Sequence, residues 1–163
     1  MTTMKKFKEN LFLTLYAWSK IPLIGFVGPK VLEANNQRTV LKVPLNFRTK
    51  NHLGAMYFGA LAVGSELCIA MLAVKQIQES GERIDFLFKD YKANFLKRAE
   101  GDVHFICDEA QVVFDQINEA KTSEERINRT MTAYAIVPSV SQTERVAEFE
   151  LTLSVKRRVK KKS

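Results

Sequence analysis

The sequence predicts an α+β fold in which a curled antiparallel sheet wraps around one long helix. Residues 51–79 form an apolar stretch in which Glu66 is the only charged residue between His52 and Lys75. A helix that is apolar on all sides must be surrounded by protein. Segments before and after this stretch alternate apolar and polar residues with a period of two, which indicates strands. The length of 163 residues suits one domain built on one core.

The N-terminal residues predict a helix outside the sheet. Residues 4–19 have the composition of a helix, with three lysines ahead of an apolar run at residues 11–18. Lys20 and Pro22 interrupt this run, which falls short of the ~20 consecutive apolar residues of a membrane span. We expect an amphipathic helix that packs on the domain, and a helix that lies on a membrane surface is the alternative.

The middle of the chain supplies the first strand and the central helix. Residues 30–36 suggest one more helical turn, which would complete a helical extension over residues 1–36. The alternation at residues 39–47 predicts a strand, and Pro44 indicates an edge or a bulge. The helix at residues 51–79 would be about 40 Å long and cross the whole domain. Each of its glycines costs about 1 kcal/mol relative to alanine, which suggests close approach of another backbone.

The second half of the chain predicts the rest of the sheet. Strands are expected at residues 84–88, 92–97, 103–107, 131–138 and 145–155, and short helices at residues 109–120 and 123–129. Such a sheet covers the central helix and leaves one edge unpaired. Edge-to-edge pairing of two copies would close it, so we expect a homodimer or a dimer of dimers.

Charge and cysteine content limit the other classes of function. The formal net charge is +7, but six positive charges lie in the last eight residues. We therefore predict one domain over residues 1–155 and a flexible basic tail over residues 156–163, and we expect no nucleic-acid binding. Cys68 and Cys107 do not have metal-site spacing, and we expect two buried thiols, no metal and a cytoplasmic location.

Three stretches carry a resemblance to a known superfamily. They are the sequence Asn-His-Leu-Gly-Ala-Met at residues 51–56, the strand, turn and strand at residues 90–103, and the closing hairpin. In this order they resemble the hotdog-fold thioesterases, in particular proteins similar to phenylacetyl-CoA thioesterase and an uncharacterised domain-of-unknown-function branch. The resemblance covers residues 36–155 and implies a hotdog fold.

The resemblance also implies an activity and a site. The implied activity is hydrolysis of a hydrophobic acyl-CoA or acyl-carrier thioester at a dimer interface, with coenzyme A present only as part of the substrate. At the expected start of the central helix, the N–H groups of Gly54 and Ala55 would stabilise the oxyanion. Asn51 or His52 would cap the helix or contact the thioester. Lys97 and Arg98 would bind the phosphates of coenzyme A.

The catalytic carboxylate of the similar thioesterases is not found at the same position in this chain. Enzymes similar to phenylacetyl-CoA thioesterase carry an acidic residue about two turns after the entry glycine, where this chain has Ala60, Leu61 and Ala62. Glu66 is the one carboxylate inside the helix and lies ~18 Å beyond Gly54, too far to serve the same chain. Two antiparallel helices in a dimer would bring it to the partner's site, as general base. The alternative to the catalytic role of Glu66 is a buried structural hydrogen bond. The alternative to the thioesterase function is a non-catalytic module that binds acyl groups, dimerises or associates with a membrane.

Overall fold

The structure, a computed structural model, describes residues 3–158. The chain forms four helices and six strands in this range. In chain order they are α1 Thr3–Lys20, α2 Pro22–Val27, β1 Lys30–Ala34, β2 Thr39–Val43, α3 Phe58–Ser80, β3 Ile84–Phe95, β4 Val103–Cys107, α4 Ala110–Thr122, β5 Ile127–Ile136 and β6 Arg145–Arg157.

The six strands form one antiparallel sheet around α3. The strand order is β1-β2-β4-β5-β6-β3, and every neighbouring pair is antiparallel. The side chains of α3 and the inner face of the sheet share one apolar core with Leu13, Ala17 and Ile24 from the two N-terminal helices. This is the predicted hotdog fold, with the predicted extra helix at the N-terminus.

The central helix owes its position to its composition. Within residues 3–158, α3 is the one helix long and apolar enough to span a membrane by length and composition, with a mean hydropathy of 1.6. About two turns after its start, Gly64 packs against the ring of Phe105 on β4, and a Cβ atom at this glycine would lie 2.4 Å from that ring. A close approach does occur at Gly64, but the neighbour is the side-chain ring of Phe105 and not the second backbone that was expected.

Several predicted boundaries were wrong, and the sheet explains each difference. The helical turn expected at residues 30–36 is strand β1, because its backbone pairs with β2. The strands predicted at residues 84–88 and 92–97 are one strand, β3, with an irregularity between Phe88 and Tyr91. The helix expected at residues 123–129 is not formed: residues 123–126 are a loop after α4, and β5 begins at Ile127.

The basic tail also begins later than predicted. Strand β6 continues through Arg157, where it pairs with Ile84, and the backbone N–H of Arg158 donates to the Arg83 carbonyl at 2.8 Å. The first three residues of the predicted tail are therefore held at the edge of the domain. Residues 159–163 lie outside the described residues.

The two edges of the sheet are not equivalent. At the β1 edge, the side chain of Asn10 on α1 donates to the Val31 carbonyl at 3.0 Å and accepts the Val31 N–H at 2.9 Å. Helix α1 thus occupies backbone groups that another strand would use. At the other edge lies β3, 12 residues long, and within residues 3–158 no strand pairs with its outer side.

Candidate functional site

The segment before α3 is a tight turn and not the start of the helix. Helix α3 begins at Phe58, seven residues after the start predicted for it. The side-chain oxygen of Asn51 accepts the N–H groups of Leu53 at 2.9 Å and Ala55 at 3.2 Å. Gly54 has a φ of +81°, a conformation that favours glycine. Asn51 and Gly54 therefore fold residues 51–55 into a turn, which the sequence alone did not distinguish from a helix cap.

This turn changes the part assigned to Gly54 and Ala55. The Gly54 N–H donates to the Asn51 carbonyl at 3.1 Å, and the Ala55 N–H donates to the Asn51 side chain. Both groups are occupied, so the prediction that they are the free donors of a helix start was wrong. His52 lies in the same turn, and its side chain is exposed.

The free donors lie at the true start of α3. Within the described part of the chain, no acceptor is bonded to the N–H of Phe58 or of Gly59, whereas the N–H groups of Ala60 and Leu61 donate to the Tyr57 carbonyl. No side chain caps this helix end. Two unpaired N–H groups and the helix dipole together form a site that favours a developing negative charge.

Exposed aromatic rings surround these donors. The rings of Tyr57 and Phe58 lie 4.8 Å apart, and Phe58 is 6.5 Å from Phe95 at the end of β3. All three side chains are about half exposed or more. The start of α3 therefore meets the far end of the open edge strand, at an apolar surface.

Glu66 lies in the middle of α3 between two cavities. An open cleft of about 730 Å³ lies between α3 and β3, and a more enclosed cavity of about 210 Å³ lies between α3 and α1. The lining of both includes Glu66, Tyr16, Ile21 and Phe86. The rest of the smaller cavity is almost entirely apolar, with Leu67, Ala70, Met71 and Val74 among its residues. Glu66 thus lies where an open cleft meets a more enclosed apolar cavity.

The carboxyl of Glu66 is partly buried, and no residue in the described part of the chain compensates it. Burial raises its pKa above the ordinary value. Among residues 3–158, no hydrogen bond or ion pair to Glu66 is formed. The buried structural hydrogen bond, the alternative weighed for Glu66, is thus not found in this part of the chain. A partly desolvated carboxyl at a cavity is a common feature of functional sites.

The irregularity in β3 lies beside Glu66. Lys89 and Asp90, the two residues left out of the ladder, line the same cleft as Glu66. Directly after them, the Tyr91 hydroxyl lies 3.2 Å from the buried hydroxyl of Ser65, which itself donates to the Ala62 carbonyl at 2.9 Å. This contact fixes the bulge against α3. Bulges often re-aim side chains next to active sites.

The two predicted phosphate ligands differ from one another. Lys97 forms an ion pair with Glu144, so its charge is already compensated. Arg98 is exposed, and the next residue, Ala99, accepts the Met56 N–H at 2.9 Å. The contact between Ala99 and Met56 places Arg98 close to the start of α3.

Sequence reasoning missed Tyr57, Phe58, Gly59, Ser65 and Tyr91. The first three were taken for helix interior because the start of α3 was placed too early. The signal that could have placed it is Asn51 followed three residues later by Gly54, which is typical of a turn. Ser65 and Tyr91 are brought together only by the fold.

The family comparison covers almost the whole chain. The model of the domain of unknown function DUF4442 matches residues 9–155. The chain belongs to this family. No curated protein sequence matches it significantly.

Solved structures similar to this DUF4442 chain include several thioesterases. A Pseudomonas aeruginosa protein of unknown function, named a probable thioesterase, has a TM-score of 0.73 and 20% identity, over 91% of this chain and 96% of that one. A thioesterase from Haemophilus influenzae has a TM-score of 0.64 and 13% identity, over 91% and 92%. A glutamine-to-alanine variant of a Staphylococcus aureus thioesterase has a TM-score of 0.64 and 12% identity, over 83% and 98%. These likenesses support a thioesterase-like fold.

Proposed function

We propose that this DUF4442 domain hydrolyses hydrophobic acyl thioesters, in particular acyl-CoA, at a site formed between two copies of the chain. The observation that supports this most directly is the position of Glu66, an uncompensated carboxyl at the junction of an open cleft and an apolar cavity. A thioester requires this combination, because its acyl group is apolar and its carbonyl carbon must meet an activated water.

The open edge of β3 supports the dimer. If two β3 strands pair antiparallel about a two-fold axis near their middle, the Phe95 end of one strand lies next to the Ile84 end of the other. Within one chain, Phe95 contacts the start of α3, whereas Phe86 and Tyr91 lie beside Glu66. The pairing therefore brings the start of one α3 toward the partner's Glu66. Within one chain these two points are ~12 Å apart along the helix.

The chemistry then divides between the two copies. The unpaired N–H groups of Phe58 and Gly59 bind the carbonyl oxygen as it becomes negative. The partner's Glu66 accepts a proton from a water molecule, and the resulting hydroxide forms a bond to the carbonyl carbon. When the intermediate collapses, the carbon–sulfur bond breaks and the thiolate takes up the proton held by the carboxyl. A raised pKa suits this base, since a base works best when its pKa approaches the working pH.

The decisive experiment replaces Glu66 and measures both turnover and binding. Free thiol released from a series of acyl-CoA substrates should fall by a factor of about 10²–10⁴ in Glu66→Gln. The control variant is Glu82→Gln, which removes an exposed carboxylate just after α3 and should leave turnover unchanged. Unchanged turnover in Glu66→Gln would show that Glu66 is not the general base. Thermal stabilisation of the wild-type protein by acyl-CoA without any thiol release would instead identify the non-catalytic acyl-binding module.

The phosphate ligand needs a second, narrower test. We assign the contact with coenzyme A to Arg98 and not to Lys97, whose charge Glu144 compensates. Arg98→Gln should raise the KM for acyl-CoA several-fold and leave the KM for an acyl thioester of N-acetylcysteamine unchanged, because the latter has no phosphate. An equal rise for both substrates would contradict a phosphate contact.

A further inference from the structure

Helix α1 carries two apolar faces, and the domain uses one of them. Leu13 and Ala17 point into the core and are 3% and 1% exposed. Phe7, Leu11, Leu15 and Trp18 lie on the other face and are 69%, 48%, 63% and 55% exposed. With about 100° of rotation per residue, the four outer side chains fall within an arc of about 80°, centred about 140° from Leu13 and Ala17. An amphipathic helix in water would place polar residues at these positions.

The outer face continues onto α2. The ring of Trp18 lies against Gly25, where a Cβ atom would be 2.8 Å from the ring. On α2, Leu23 and Phe26 are 61% and 47% exposed. We define the outer face as six exposed apolar side chains of α1 and α2: Phe7, Leu11, Leu15, Trp18, Leu23 and Phe26.

Cations border the outer face. A groove of about 470 Å³ between α1 and the turn after α2 has Phe7 and Trp18 as well as Lys30 and Arg48 in its lining. Among the described residues, neither cation forms an ion pair with a carboxylate. The Arg48 guanidinium instead lies 5.9 Å from the centre of the Phe26 ring, which keeps it beside the apolar surface.

The N-terminal segment has a positive net charge. Residues 1–32 contain five lysines and one glutamate, a balance of +4. A pairing of this surface with the same surface of a second copy would place cations opposite cations, which disfavours self-association. Apolar side chains bordered by lysine and arginine instead match a bilayer of anionic lipids, whose acyl region receives the rings and whose phosphates meet the cations.

We propose that the outer face binds the surface of an anionic lipid bilayer, with Phe7, Leu11, Leu15 and Trp18 in the interface and Lys30 and Arg48 at the lipid phosphates. This binding does not depend on the thioesterase activity or on its dimer, since it uses neither Glu66 nor β3. Membrane association would hold the protein where long acyl chains partition.

Trp18 is the only tryptophan of the chain and reports on this contact directly. Adding vesicles of phosphatidylcholine with phosphatidylglycerol should shift its fluorescence to shorter wavelength, and the protein should float with the vesicles. Vesicles of phosphatidylcholine alone should bind it far more weakly, and raising the salt to 0.5 M should release much of the bound protein from anionic vesicles.

Two double variants separate the apolar contribution to vesicle binding from the electrostatic contribution. Leu11→Ser/Leu15→Ser should lower the partition coefficient at least tenfold, and Lys30→Gln/Arg48→Gln should lower it several-fold for anionic vesicles only. Val140→Ser is the matched control, because Val140 is 69% exposed in the turn between β5 and β6 and should not change binding. Equal melting temperatures of the variants confirm that they are folded.

Three results would overturn the proposal. The first is a wild-type protein that does not float with anionic vesicles. The second is loss of binding in Lys160→Gln/Lys161→Gln/Lys162→Gln with full binding in the Leu11/Leu15 variant, which would assign the contact to the basic C-terminus. The third is a halved molar mass of Leu11→Ser/Leu15→Ser in light scattering, without any vesicle binding by the wild type, which would assign the outer face to a second copy of the chain.

Discussion

Replacing Gly64 by alanine should destabilise this domain, although alanine is the better helix former. Gly64 lies about two turns into α3, on the side of the helix that packs against β4, and has no room there for a side chain. An ideal Cβ atom would lie 2.4 Å from two ring carbons of Phe105, which is 0% exposed. Ordinary contacts between carbon atoms are about 3.5–4.0 Å. The helix and the ring must therefore separate by about 1 Å.

The magnitude follows from two opposing contributions. Behind Phe105 the ring of Phe149 lies 6.1 Å away, so Phe105 cannot retreat without displacing a second buried ring. Forcing an extra methyl group into such a core costs about 1–3 kcal/mol. The higher helix propensity of alanine offsets up to about 1 kcal/mol of this loss of stability. We expect a net loss of about 1–2 kcal/mol in the free energy of unfolding, or a melting temperature lower by about 2–8 °C.

Urea denaturation of four proteins tests this reasoning. They are the wild type, Gly64→Ala, Phe105→Leu and the double variant, and their coupling energy measures the clash alone. Gly59→Ala is the control, since its nearest contact is the half-exposed Tyr57 ring, which can move aside. Its stability should change by less than about 0.5 kcal/mol. A Gly64→Ala protein as stable as the wild type, or equal losses with and without Phe105, would refute the close packing of α3 on β4.

Three further expectations concern titratable groups. Burial raises the pKa of Cys107 to about 12 and the pKa of Cys68 well above its usual value, so neither thiol should react with a disulfide reagent at pH 8 until urea unfolds the protein. The hydrogen bond from Lys42 lowers the pKa of Asp102. The ionised carboxylate therefore stabilises the fold above the unfolded pKa of about 4, and this stabilisation is lost as the pH falls through the folded pKa. Asp102→Asn should reduce the dependence of the melting temperature on pH below about 4. Burial raises the pKa of Glu66, so ionisation of this carboxyl destabilises the folded state above the unfolded pKa of about 4.5. Glu66→Gln should therefore be more stable than the wild type at pH 7 but not at pH 3.5. Equal melting temperatures of the two proteins at pH 7 would contradict an uncompensated carboxyl.

The fold was predictable because its main signal is local. A long apolar stretch with one charge indicates a helix that the rest of the domain surrounds. The alternation in β2 and β6 has a period of two, which indicates strands. The strand β1 was not predictable in this way, because its five residues Lys30–Ala34 carry no clear period and form a strand only through pairing with β2. The single long β3 was divided in the prediction, since Lys89 and Asp90 interrupt its alternation and the fold accommodates them as a bulge.

The candidate site was only partly predictable for a related reason. Glu66 could be singled out, because an isolated charge in an apolar helix is visible in any sequence. The unpaired N–H groups of the helix start were expected about one turn too early. Asn51, Leu53 and Gly54 are compatible with a helix by composition, and only the hydrogen bonds of Asn51 reveal the turn. The contact between Ser65 and Tyr91 joins residues 26 apart and has no local signal at all.

The N-terminal helix, which the superfamily resemblance left outside, contributes to both proposals. Tyr16 on α1 and Ile21 just after it line both cavities at Glu66, whereas Phe7, Leu11 and Leu15 on α1 form the outer face. One short segment therefore separates the carboxyl from the surface that we propose to bind lipid. If α1 changes its tilt when the outer face enters a bilayer, Tyr16 and Ile21 must move with it and the cavities beside Glu66 must change in size. Thioester turnover that rises in the presence of anionic vesicles, and that loses this rise in Leu11→Ser/Leu15→Ser while keeping its rate without vesicles, is the result that this geometry predicts.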